Sequence, residues 1–328
     1  MKRKPIAAAL LLAIATAMPP SVMGQAPAKP YRIGVLVTGS DRSEGHLLAA
    51  FDSGLREHGL QSGKDVVYEK RFADGRLERL TRLAGELVAS KVDLVFAPQT
   101  PAALAAKKAT AAIPVVFALA ADPVAVALVA SFARPGGNVT GFASNNGELV
   151  AKRLELLKEI VPAIARAGIV FDPENPGDPL QLRDFEAAAR TLKLEVVPIA
   201  VSEAAQYRAG FNTLAKHAVR AMFVVPNPLN VTSREVIARY ARSARIASVH
   251  SLIEDVQAGG LISYGANYED LCRRAGGHAA RILRGAKPAD LPVEQPTRFE
   301  LVVNLKTARA LGIALPQAVL LRVDRVIE

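Results

Sequence analysis

The run VDLVFAPQTPAALAAKKATAAIPVVFAL, Val92 to Leu119, contains a complete strand–helix–strand unit. Val92–Phe96 is short and apolar and is followed by a Pro, as a buried strand would be. Pro101 to Ala112 is Ala-rich and reads as a helix, and Val115–Leu119 is a second buried strand. Between the first strand and the helix stand Gln99, Thr100 and Pro101. A Thr before a Pro predicts an N-cap at Thr100 with Pro at the first helical position.

The same alternation extends in both directions. Towards the N-terminus, Ile33–Val37 and Val66–Tyr68 read as strands. They are separated by a helix carrying Leu47, Phe51 and Leu55, and followed by one carrying Leu77, Leu80, Leu83, Ala84 and Leu87. Towards the C-terminus, a helix over 124–132 and a strand over Val139–Phe142 close the first half. A second half repeats the pattern: strands at 168–171, 195–199, 221–225, 247–250 and 261–264, helices at 148–160, 180–192, 204–217, 233–244 and 268–283. A strand–helix pair at 301–311 ends the chain. Alternation of this kind predicts an α/β fold with two doubly wound parallel-sheet lobes, helices covering both faces of each sheet. The short break over 143–147 suits a hinge.

Open parallel sheets bind ligands beyond the carboxyl ends of their strands. This chain puts its unusual polar residues there: Thr38 and Ser40 after the first strand, Gln99 and Thr100 after the third, Asp122 after the fourth. In the second half the matching positions hold Asp172 and Asn175, Asn227, and His250 with Ser251. Such a pattern implies a cleft that closes on a small solute. The first-turn amides behind Thr100 would favour an anionic group, a carboxylate being the obvious one. Asp122 either caps the helix from Val124 or meets a ligand ammonium. Asn145, in the crossover, serves either the hinge or the ligand, and Asp172 either ends its strand in a turn or faces the solute.

Other chemistry is hard to place. The five His are far apart in the chain, without H-E-x-x-H or other metal-ligand spacing, so no metal and no cofactor is expected. There is no G-x-S-x-G elbow and no phosphate-binding glycine loop, so an enzyme is not expected. Cys272, inside a helix, reads as half-buried structure, and a single Cys excludes an internal disulfide. The charge is +10, from 41 basic and 31 acidic residues, but no dense basic run interleaved with aromatics appears, so no nucleic-acid partner is expected.

Part of the charge belongs to the leader. Lys2, Arg3 and Lys4 precede an apolar run from Ile6 to Ala17, with Val22 and Gly24 at the −3 and −1 positions of a cut after Gly24. Twelve helical residues rise about 18 Å, short of a hydrocarbon core of about 30 Å. Residues 1–24 therefore read as a cleaved signal peptide. Its removal takes three basic residues and no acid, leaving +7. The lone Cys is far from the cut, so a lipid-anchored N-terminus is not expected, and the mature protein is predicted to be periplasmic and monomeric.

Several motifs together resemble the ABC-transporter substrate-binding proteins of the tryptophan/tyrosine-binding type. They are QTPAALAAK (Gln99 to Lys107), IPVVF (Ile113 to Phe117), RPGGNVTG (Arg134 to Gly141), GGLISYG (Gly259 to Gly265), AKPADLPVEQP (Ala286 to Pro296) and FELVVNLK (Phe299 to Lys306). The resemblance implies a type I periplasmic-binding-protein fold with three hinge strands. Its first lobe would be residues 31–142 plus about 261–297, its second 143–260 plus about 298–328. It also implies an amino-acid-like, carboxylate-bearing solute held by Ser40, Gln99, Thr100, Asp122, Asn145, Asp172 and Asn227, and a membrane permease as partner. The alternative is a ligand-presenting component of an extracytoplasmic sensing system.

Overall fold

The computed structural model describes residues 29–144, 147 and 149–328. The predicted signal peptide and Asn145 lie outside these residues. The first half runs β1 (Tyr31–Val37), α1 (Asp41–Glu57), β2 (Val66–Phe72), α2 (Leu80–Ala89), β3 (Leu94–Phe96), α3 (Thr100–Ala109), β4 (Val115–Ala120) and β5 (Val139–Ala143). Its strands form one fully parallel sheet in the order β2-β1-β3-β4-β5. The near-continuous apolar strands follow from burial on both faces. One face packs Leu47, Phe51 and Leu55 of α1, with Phe51 stacked on Phe96 at 3.9 Å. The other packs Leu80, Leu83 and Leu87 of α2 with the alanines of α3.

The second half contains α4 (Val150–Ile160), β6 (Arg166–Phe171), α5 (Asp178–Thr191), β7 (Glu195–Ala200), α6 (Tyr207–Lys216), β8 (Ala221–Val224), α7 (Pro228–Thr232), α8 (Arg234–Ser243), β9 (Ala247–His250), α9 (Ile253–Gln257) and β10 (Ile262–Ala266). The chain ends in α10 (Tyr268–Leu283), β11 (Phe299–Asn304), α11 (Leu305–Leu311), α12 (Gln317–Leu320) and β12 (Arg325–Ile327). The second sheet has the order β12-β11-β10-β9-β8-β6-β7. Its two faces are covered by α4, α5 and α11 on one side and by α6 and α8 on the other.

The chain crosses between lobes three times: after Ala143, between Ala266 and α10, and between Glu294 and β11. The last crossing lies along β5, where Ala143 donates to the Glu294 carbonyl at 2.9 Å and Glu294 to that of Gly141 at 3.0 Å. Helix α10 belongs to the first lobe, seated so close to α1 that no side chain fits at the two glycines where they cross. A Cβ at Gly54 would stand 1.8 Å from the Arg273 carbonyl oxygen, and one at Gly276 would stand 2.2 Å from that of Phe51.

Several local expectations need correction. The return to the first lobe comes at α10 rather than near Leu261, because β10 pairs with β9 and β11 in the second sheet; a buried apolar strand does not announce which sheet it joins. Pairing is not parallel throughout. Strand β11 runs antiparallel to β10, since it arrives from the other lobe and not from a crossover helix. No helix forms over 124–132. Asp122 caps a single turn there, and Ala127, at φ 54°, ends it while Leu128 and Val129 turn into the core. Cys272 is fully buried, and burial pushes its thiol well above its usual range. Edge strand β12 was not foreseen from the sequence.

Candidate functional site

The ends of β1, β3 and β4 face those of β6, β8 and β9 across a cleft with about 730 Å³ of empty space, its open mouth included. Every one of these strand ends except that of β4 feeds a helix, so helix N-termini converge on the cleft. Two of them are treated differently from the rest. Helix α1 is closed by Ser40, whose Oγ accepts from the Ser43 amide at 3.2 Å, and α7 by Asn227, whose Oδ1 accepts from the Asn230 amide at 2.7 Å. Neither α3 nor α5 has a side-chain cap.

The N-cap of α3 is Gln99, not Thr100; the helix begins at Thr100 and carries Pro at its second position. Gln99 turns its amide away from the helix and donates through Nε2 to the Glu44 carboxylate of α1. Its Oε1 is buried without a partner among the described residues. The first-turn amides of α3 are thus left for a cleft occupant, and the missing N–H of Pro101 costs nothing there. Across the cleft α5 repeats the arrangement: it opens on Asp178 and Pro179, with Gly177 as N-cap.

Two buried carboxylates flank this space, one from each lobe. Glu44 is 5% exposed, and burial raises its pKa to about 7 against the relief from Gln99. Asp178 is 2% exposed and also raised to about 7 by burial. It accepts from the Asp172 amide at 2.9 Å and from Asn227 Nδ2 at 2.6 Å. Both bonds fall on Oδ2, so Oδ1 remains for a solute donor. Arg234 of the second lobe also lines the cleft and pairs with Asp255 at 3.4 Å. Leu47, Leu119, Val231 and Leu252 make an aliphatic wall, and Tyr268 is the aromatic residue among the lining.

Of the residues proposed from sequence, Gln99, Thr100 and Asn227 line this cleft. Ser40 stands behind it as the α1 cap. Asp172 also stands behind: its Oδ1 accepts from Glu174 N and Ser202 Oγ, while its own amide holds Asp178. Asp122 lines a neighbouring cavity beside Gln181 and Asp184, and its Oδ1 accepts from the amides of Val124 and Ala125 at 3.2 and 2.9 Å. His250 and Tyr264 serve structure: His250 meets Ser248 at 2.9 Å, and Tyr264 packs near Phe299. Sequence reasoning missed Glu44, Asp178, Gln181 and Arg234. The signal for the first two was an acid in the first turn of a helix that follows a strand end, which reads equally well as dipole compensation.

Two sheets, three crossings and a cleft at the facing strand ends define the type I periplasmic-binding-protein architecture. The chain belongs to the ABC transporter substrate binding protein family, whose match spans residues 32–327. A curated relative, the tyrosine-binding protein of Clostridioides difficile (strain R20291), is 28% identical over 263 residues, covering 80% of this chain and 75% of the relative. The crystal structure of the ABC domain from Streptococcus pneumoniae in complex with L-Trp superimposes with a TM-score of 0.85 at 29% identity, over 91% of this chain and all of that one. A ligand-free, open structure of a Clostridium difficile substrate-binding protein with adhesive properties superimposes with a TM-score of 0.65 at 25% identity, over 90% of this chain and 99% of that one.

Proposed function

We propose that this chain is the solute-binding protein of an ABC importer, exported with removal of residues 1–24 and active in the periplasm, and that it captures a carboxylate-bearing solute, an amino acid, between its lobes. The observation that carries this reading is the pair of buried carboxylates, Glu44 and Asp178, facing each other beside the uncapped N-terminus of α3. A zwitterion complements that arrangement. Its carboxylate takes the first-turn amides of α3 at Thr100, with Arg234 in reach; its ammonium takes Asp178 Oδ1 and Glu44; its side chain lies against Leu47, Leu119 and Leu252. Gln99 and Asn227 touch the solute, while Ser40 and Asp172 hold the elements that do. Asp122 borders the adjoining cavity.

Two comparisons support an aromatic amino acid as the solute, the tyrosine-binding relative and the L-Trp complex. The better overlay on the L-Trp complex than on the open structure, 0.85 against 0.65 at similar coverage, is what a closed arrangement of the lobes would give. Closure is favoured by a solute because only the closed state makes both sets of contacts. The closed form would then dock on a membrane permease, with no chemical step on the solute. A thermal-shift screen of the mature protein, stripped of solute, against amino acids and small carboxylates tests the reading. At about 1,000 times Kd a ligand adds roughly 4 kcal/mol, enough to raise the melting temperature by several degrees. Stabilisation by one or a few amino acids is the expected outcome; no response from any amino acid would refute it.

A further inference from the structure

A second cluster lies between the cleft and an adjoining cavity, and His46 and Glu254 line both. His46 of α1 and Glu269 of α10, both on the first lobe, meet Glu254 of α9 on the second, and one ligand atom from each lies within 4.8 Å of the others. None of these three side chains has a hydrogen-bond or ion-pair partner among the described residues. Arg42, Arg234 and Arg325 line the same cavity, yet none pairs with either glutamate, and Arg234 is engaged by Asp255. Ser251 lines the cavity too; it is 3% exposed, and its Oγ has no partner among the described residues. Two carboxylates held close, neither paired with a basic side chain among the described residues, form with the imidazole a donor set that suits a positive centre.

We propose that His46, Glu254 and Glu269 bind a divalent transition-metal cation across the seam between the lobes. One imidazole nitrogen and two carboxylate oxygens suit Zn2+, whose remaining position a water would take. Zinc–ligand distances of about 2.1 Å put tetrahedral ligands about 3.4 Å apart. The side chains must therefore draw in by about an ångström, which the exposed His46 and Glu269 do at little cost. Sequence spacing could not show this site, because its ligands come from residues 46, 254 and 269 and meet only when the lobes are together. That placement gives the cation a role. It bridges the two lobes, so it favours the closed state, and by linkage it tightens solute binding by the same factor that solute tightens cation binding.

The test uses Zn2+ alone on the mature, tag-free protein after chelator treatment, followed by isothermal titration calorimetry and small-angle X-ray scattering. One saturable site per chain is expected, with a smaller radius of gyration when it is filled. Glu254→Gln and Glu269→Gln should each weaken it at least tenfold, and His46→Ala similarly, with circular dichroism confirming that all three fold. Absence of saturable binding would overturn the proposal. So would a site whose affinity the three substitutions leave unchanged, since the cation would then be held elsewhere. Solute binding measured in chelator tests the receptor reading separately, so either can fail without the other.

Discussion

Asn227 donates through Nδ2 to Asp178 Oδ2 at 2.6 Å while its own Oδ1 caps α7, so one buried amide ties the N-termini of α5 and α7 together at the cleft floor. Asn227→Ala removes both bonds. Loss of the cap alone costs about 1 kcal/mol, which a denaturant melt reads directly. We expect solute affinity to fall at least tenfold, because Asp178 loses the donor that orients it. Unchanged affinity in a folded variant would remove Asp178 from the site.

Thr100→Ala gives a complementary test at α3. The backbone amides stay in place, so a solute carboxylate held by them should bind within a few-fold of wild type. Thr100→Pro removes the first-turn N–H itself and should weaken binding far more. Equal effects would show that the hydroxyl, rather than the amide, makes the contact. Calorimetry on both variants separates the two.

The empty protein should lose stability as pH rises from about 5 to above 7. Glu44 and Asp178 titrate near 7 when folded, against ordinary values of 4.5 and 3.8. Between those limits the folded chain therefore holds protons that the unfolded chain has released. Each group contributes up to about 1.4 kcal/mol per pH unit over that window. His278 acts oppositely: burial lowers it to about 4, so its contribution is full above about 6.5 and is lost as pH falls towards 4. Two acids against one imidazole leave a net decline with rising pH. Glu44→Gln should flatten the curve, and melting temperatures from pH 5 to 8 will show it. A solute ammonium requires the carboxylates ionised, so affinity should rise across the same range.

A pair of glycines separates close packing from helix propensity. Gly54→Ala forces a methyl onto the Arg273 carbonyl where α1 meets α10 and should cost about 3 kcal/mol by overpacking. Gly85, exposed in α2 with nothing within 4 Å of its Cβ position, should gain up to about 1 kcal/mol as Ala. Opposite signs in chemical denaturation are expected.

How far the sequence could be read follows from which interactions are local. The buried strands Ile33–Val37 and Val115–Leu119 and the α10 helix are legible because burial on both faces leaves an uninterrupted apolar run and a helix leaves a 3.6-residue period. Membership of β10 in the second sheet is not legible, since it depends on pairing with β11 nearly forty residues later. The cleft followed the same division. Gln99, Thr100 and Asn227 sit at strand ends and were found by position. Glu44 and Asp178 were missed because their role comes from burial beside Gln99 and Asn227, about fifty residues away in the chain, which no local pattern records. Asp122 shows the converse: a polar strand end whose carboxylate is spent on its own turn.

The most direct test of the account is isothermal titration calorimetry of the stripped, mature protein with L-tryptophan and L-tyrosine, alongside their N-acetyl and amide derivatives. The account predicts saturable one-to-one binding of at least one free amino acid, and loss of it when either the ammonium or the carboxylate is blocked. Binding of an N-acetyl derivative as tight as that of its parent, or no binding of any free amino acid, would contradict it.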